Sequence, residues 1–420
     1  MPVVLRYFAV FLIGLGGVFS SCTRVEVPTP SPGVALGDAG DGGEPGGGAG
    51  SLAGAGGDGS GGAYVGEAGA PGAIDIGVWP TFTADPNESG DVQAVLAAVS
   101  ALSIGATTLP LEQRWDELSG ATGSPRAVTW NRMDAMTQPY RDGDGSVALC
   151  IGIVDRQLPA WPDGLDLTTD AASSAIERTI DEVYARYGQH LSHLCFGYEL
   201  DRYLAAATSA SQKHLLAFFA HAVEYASHHP LRCGAGDDRC TAKTAIGTAV
   251  TLSSLSGASG ALLDQLLLGD EVVAVYDPLD AKSALKPPES VADEVTLALS
   301  ALATAPGATL PLTLFEVGYP SGSDVGSSAK AQRKYYDTLF DLLDTKRHDV
   351  SFVGAFGLGD RAAADCEAEA ASFGGTTSAQ AERALVRCSM GLRAETADDP
   401  GGATDKLAWA AVVAAVSRYR

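Results

Sequence analysis

Positive charge is scarce in this 420-residue chain: 28 lysines and arginines face 51 aspartates and glutamates, a formal net charge of −23 at pH 7. So acidic a chain repels phosphate backbones and anionic membrane faces, which argues against nucleic acid as a partner. Histidine is sparse as well; the 7 residues are scattered, and no pair among the 7 cysteines has zinc-finger spacing, so no metal centre is expected. There is no Gly-x-Ser-x-Gly elbow on a strand-to-helix turn, no phosphate-binding loop and no His-Glu-x-x-His, and no cofactor is called for. His228-His229, just before Pro230, reads as a dipole contact at a helix end. The Asp-Gly pairs of residues 141–146 lack the closing glutamate of a calcium loop and read as turns.

A long apolar run is also missing. After Arg6 the apolar stretch 7–15 is too short to cross a bilayer and is followed by small residues, the pattern of a secretory signal. Ser20-Ser21-Cys22 resembles the lipobox of bacterial lipoproteins. That resemblance implies a signal peptide over 1–21, acylation at Cys22 and a lipid anchor in the cell envelope, with the outer membrane favoured by Thr23; simple secretion is the alternative. Residues 22–72 are rich in Gly, Ala, Pro and Asp with scarcely a large apolar side chain, so they read as a disordered linker. Setting Cys22 aside leaves an even number of cysteines in an exported chain. Cys233 and Cys240 flank a tight loop and Cys366 and Cys388 an Ala-rich excursion, so both are candidate disulfide pairs, while Cys150 and Cys195 fall inside strands as either thiols or a bridge.

From residue 73 to 420 short apolar runs alternate with amphipathic stretches of helical length. Strands are expected at 74–79, 106–111, 147–154, 194–199, 245–251, 272–276, 312–317 and 350–356. Eight such units predict an α/β fold, a (β/α)8 TIM barrel, whose strand C-termini open onto one face. Two of these strands end in a glutamate, Glu199 and Glu316. A carboxylate at the end of an apolar strand is costly unless paired or used, and facing carboxylates suit glycosidic bond cleavage.

The strand ends resemble those of the clan A glycoside hydrolases. Gly197-Tyr198-Glu199-Leu200-Asp201 is similar to their Gly-Asn-Glu-Val-Asp form at strand four, and Phe315-Glu316-Val317-Gly318-Tyr319-Pro320-Ser321 to their Thr-Glu-x-Gly-Tyr-Pro-Ser form at strand seven. Gly391-Leu392-Arg393 and Lys406-Leu407-Ala408-Trp409 resemble their C-terminal pattern. The resemblance implies a retaining hydrolase of a β-linked glycan, with Glu199 as acid/base and Glu316 as nucleophile about 5–5.5 Å apart. It also implies an aromatic near the nucleophile at Tyr276, a positioning arginine at Arg114 and a stacking ring at Phe356. By position at or just beyond strand ends, Trp79, Trp115 and Tyr319 read as either sugar-stacking or core aromatics, and Asp155 and Asp201 as hydroxyl-bonding or as capping and salt-bridge groups. Two residues depart from the pattern: Tyr198 stands where the clan has an Asn that bonds the sugar 2-hydroxyl, and Phe356 where many members have Trp. They raise the alternative of a silent barrel that binds glycan or serves as a surface interaction module.

Overall fold

The computed structural model describes residues 73–420 apart from 81–87, 121, 157, 234–242, 258–266, 305–309, 361–362, 373–378, 397–398 and 420. The expected signal peptide, Cys22, the linker and Cys240 lie outside the described residues.

Eight strands close into a parallel barrel: β1 (Asp75–Val78), β2 (Thr108–Arg114), β3 (Ser146–Asp155), β4 (Leu191–Tyr198), β5 (Ala245–Thr251), β6 (Glu271–Val275), β7 (Leu312–Val317) and β8 (Val350–Ala355). Each pairs with the next, and β1 pairs with β8 through Gly77 and Gly354 to complete the ring. The strands are apolar on both faces, as a parallel sheet under an outer layer of helices requires. The outer face packs on helices such as Ala329–Thr345, where Tyr335, Tyr336, Leu339, Phe340 and Leu343 are buried and Ser328 caps the first turn by accepting from Ala331 N–H. At the seam there is no room for side chains: a Cβ on Gly77 would lie 2.6 Å from Thr108 O, and one on Gly354 2.2 Å from Phe315 O. The sequence thus predicts the fold correctly, a TIM barrel.

Strand two differs in extent. Its expected end lies near Leu111, yet β2 runs on to Arg114 beside β3. Glu112 lies in register with the inward-facing Cys150, so its side chain points into the barrel, where an apolar run need not continue.

The interior is layered. At the N-terminal end Glu271 accepts from Thr313 Oγ1 at 2.5 Å and pairs with His193 Nδ1 at 2.9 Å. Burial disfavours the charged His193 ring, but Glu271 outweighs it and holds the ring pKa above the ordinary value. Above this layer sit Ala148, Cys150, Cys195, Ala249, Val273, Phe315 and Phe352. Cys150 and Cys195 are neighbours across β3 and β4, Cα atoms 4.4 Å apart, and form a disulfide inside the barrel. Cys366 and Cys388 form a second, and Cys233 is also disulfide-bonded.

Candidate active site

The C-terminal ends of β4, β6 and β7 build the mouth. Strand alternation would aim Gly197 inward and Tyr198 outward, but Gly197 takes φ +77°, which inverts the pleat. A Cβ there would lie 2.8 Å from the Phe219 ring, on the helix side, while Tyr198 turns into the barrel and is fully buried. Glu199 follows in the left-handed region, φ 56°, and delivers its carboxylate to the rim.

Glu316, 2% exposed, is engaged on both oxygens. Tyr198 Oη donates to Oε2, and Arg387 donates from Nε to Oε1 at 3.0 Å and from Nη2 to both oxygens. Arg387 Nη2 also reaches Tyr198 Oη at 3.0 Å, and its guanidinium lies 5.0 Å from the Phe356 ring centroid. Arg156, just after β3, lies 5.2 Å from the Tyr198 ring centroid, so two guanidinium groups attend that ring.

Glu199, 5% exposed, accepts from Arg202 Nη1 at 2.5 Å, and the other arm of Arg202 donates to Asp277. Arg383 Nε completes the chain at 2.9 Å from Asp277. Burial drives the Glu199 carboxyl pKa up against the pull of Arg202. Burial acts the same way on Asp277, yet Arg202 and Arg383 together hold it below the usual range. A fourth carboxylate, Glu112, is pushed up to about 8 by burial and by Asp155, and its Oε1 is buried without a hydrogen-bond partner.

Arg383 and Arg387 come from one helix, Ala379–Cys388, which with Ala363–Ser372 forms a hairpin inserted after β8. The two helices share a small core of Ala370, Ala381, Ala384 and Leu385 and the Cys366–Cys388 disulfide. Val386 and the following Met390 rest on Leu279, Leu285, Val325 and Phe356.

The other expected site residues are distributed unevenly. Phe356 and Trp79 are at the mouth; Trp79 donates Nε1–H to Phe315 O at 2.9 Å and meets the Phe315 ring edge-on. Arg114 is taken up by Asp116 and Asp155, at 2.9 and 3.3 Å, and not by Glu316. Tyr276 turns outward onto Tyr335, so the hydroxyl on the β7 glutamate is supplied by Tyr198 instead. Trp115 is fully buried under the helix layer, stacked on Phe218 with Nε1 bonded to Thr179. Tyr319 stacks on Tyr335 and donates to Lys286 O, and Asp201 accepts from Thr251 N and Oγ1 at 2.7 and 2.6 Å, tying β5 to the segment after β4. Trp115, Tyr276, Tyr319 and Asp201 are therefore packing and tethering residues here. Sequence reasoning passed over Arg383, Arg387 and Asp277. The signal for the arginines was their spacing of four, one helical face, in a segment read only as Ala-rich.

No known family profile matches the sequence, and no curated protein matches it. Among solved structures the chain is similar to a GH5_18 protein of Bifidobacterium longum subsp. longum, at 14% identity over 83% of this chain and 79% of that one with a TM-score of 0.58. It is similar to a GH5_18 variant from Streptomyces cattleya in complex with Manb1-4GlcNAc, at 14% identity, 83% and 81% coverage and a TM-score of 0.57. An exo-beta-1,4-mannosidase of an Opitutaceae bacterium gives 13% identity, 82% and 59% coverage and a TM-score of 0.55. These are glycoside hydrolases of the group whose strand-end pattern this sequence resembles, and at such identities the likeness is one of fold.

Proposed function

We propose that this chain is an envelope-held barrel of the glycosidase type that recognises β-linked glycan without hydrolysing it while its mouth is closed. The observation that carries this reading is the engagement of both Glu316 oxygens by Tyr198 and Arg387. A retaining hydrolase needs its nucleophile free to attack the anomeric carbon and needs a pyranose between the two carboxyl groups. Here the Glu316 carboxylate is held by the Tyr198 hydroxyl and the Arg387 guanidinium, and Arg387 lies against the Tyr198 and Phe356 rings. The glutamates then serve as buried anchors of an ion-pair network, a use that by itself calls for no turnover.

Hydrolysis by the full chain, assayed with aryl β-glycosides and β-linked oligosaccharides, is expected to be no faster than with Glu199→Gln or Glu316→Gln. Turnover by the wild type that both substitutions abolish would establish a hydrolase and sink this reading. That second reading has one observation in its favour: burial biases Glu199 toward its protonated form, as a general acid requires.

The anchor belongs to the same proposal, on the strength of Ser20-Ser21-Cys22 followed by a linker of about fifty residues, 22–72. Through such a tether the barrel would stand off the membrane and sample glycan near the surface. Cys22→Ser is expected to move the protein from the membrane fraction to the soluble one. Unchanged fractionation, with no acyl mass on the wild-type chain, would refute the anchor.

A further inference from the structure

We infer that the hairpin of Ala363–Ser372 and Ala379–Cys388 is a plug in cis, which occupies the seat of a β-linked saccharide in the barrel mouth and undocks as a unit when the saccharide displaces it. The inference rests on the glycan-recognition reading above.

Three features of the hairpin support it. It holds itself together, with its own alanine-lined core and the Cys366–Cys388 disulfide, so leaving the mouth does not unravel it. It departs from the barrel and returns at one place. Asp360 N–H donates to Arg393 O at 3.0 Å and Arg393 N–H to Leu358 O at 2.8 Å, so the two ends of the excursion are clasped, and Gln332 Nε2 fixes Met390 O and Gly391 O at 3.0 Å each. The root is thus pinned while the helices lie beyond it, and undocking requires no rearrangement of the strands.

The third feature is how the hairpin meets the barrel. Among the described residues its contacts with the mouth are made by side chains, Arg383 on Asp277 and Arg387 on Glu316 and Tyr198, with Val386 and Met390 as the apolar contact. Buried ion pairs contribute little net stability, because water recovers the hydration energy of each partner when they separate. A plug held in this way is released at small cost, whereas one held by a broad apolar face is not. The uncovered floor would present Glu316, Glu199 and Tyr198 as hydrogen-bonding groups and Phe356 as a stacking face, the equipment for a pyranose ring. Arg387 in the docked state satisfies the acceptors that sugar hydroxyls would otherwise meet.

The experiment is hydrogen exchange read by mass spectrometry on the full chain, alone and with β-linked manno- and cello-oligosaccharides, together with saccharide titrations of the wild type, Arg383→Ala and Arg383→Lys. Amides of 379–388 are expected to exchange through local opening at least about tenfold faster than those of 329–345, and faster still with saccharide present. Arg383→Ala, which leaves Asp277 still paired with Arg202, is expected to tighten saccharide binding by about 5- to 10-fold by raising the fraction of open mouths, with Arg383→Lys close to wild type. Exchange of 379–388 no faster than that of 329–345, with binding unmoved by Arg383→Ala, would overturn the plug. Local opening of 379–388 in a protein that binds none of the saccharides would leave the moving hairpin standing and overturn the glycan reading instead.

Discussion

Arg202→Ala is expected to destabilise the protein by about 3–5 kcal/mol at neutral pH, the cost of leaving a buried carboxylate without its cation. Arg202 is the one described residue that donates to both Glu199 and Asp277. With it gone, Asp277 keeps Arg383, but Glu199 keeps no direct ion pair among the described residues. The loss has a definite pH dependence. Burial already raises the Glu199 pKa above its ordinary value, so its folded form holds a proton more readily than its unfolded form does. Deleting Arg202 raises it further, and a group with a raised folded pKa costs stability as pH rises through the interval between the unfolded and folded values. The difference between wild type and Arg202→Ala should therefore be largest at pH 7 to 8 and shrink toward pH 4, where Glu199 is protonated in both states. Urea unfolding across that range measures it; a difference independent of pH would place the effect in lost packing of the arginine stem.

A loss of similar size is expected from removing the disulfide inside the barrel. Cys150 and Cys195 close a loop with a sequence separation of 45, for which the chain-entropy argument gives about 4 kcal/mol. The pair also fills the layer directly beneath Tyr198, so Cys150→Ala/Cys195→Ala loses packing as well as the cross-link. The expected signature is a lower urea midpoint for the double variant than for the wild type, both measured without reductant because reductant would also open Cys366–Cys388. An unaltered midpoint would contradict the expectation.

The barrel was legible in the sequence because its signal is repeated eight times: a both-faces-buried strand, then an amphipathic helix. Individual strand ends were less so, and β2 shows why. Leu109-Pro110-Leu111-Glu112 ends an apolar run in a carboxylate, the same criterion that singled out Glu199 and Glu316, yet the run was closed one residue too early to include it. Glu199 and Glu316 were legible as residues that need partners. Which partners they find was not, because Arg387 lies 71 residues from Glu316 in sequence and reaches it through a hairpin inserted after the last strand. Arg202 stands only three residues after Glu199, within reach along one helical turn, and a local pairing of that kind can be read along the chain where a distant one cannot. Tyr198 was recognised as a departure from the sugar-binding asparagine. Its actual direction depends on the positive φ of Gly197, a single backbone inversion that strand alternation does not foresee.

The position of the hairpin after β8 has a consequence for the order in which charge is balanced. A chain extended only as far as Ala355 contains all eight strands and the entire acidic rim, with Glu199, Asp277 and Glu316 in place and Arg202 as their companion. Arg383 and Arg387 reside in the final forty residues and arrive once every strand is already available for pairing. The mouth is consequently balanced by cations from a segment that follows all eight strands in the chain. Arg383→Ala/Arg387→Ala would leave Glu316 without its cation and Asp277 with Arg202 alone, on the same eight strands.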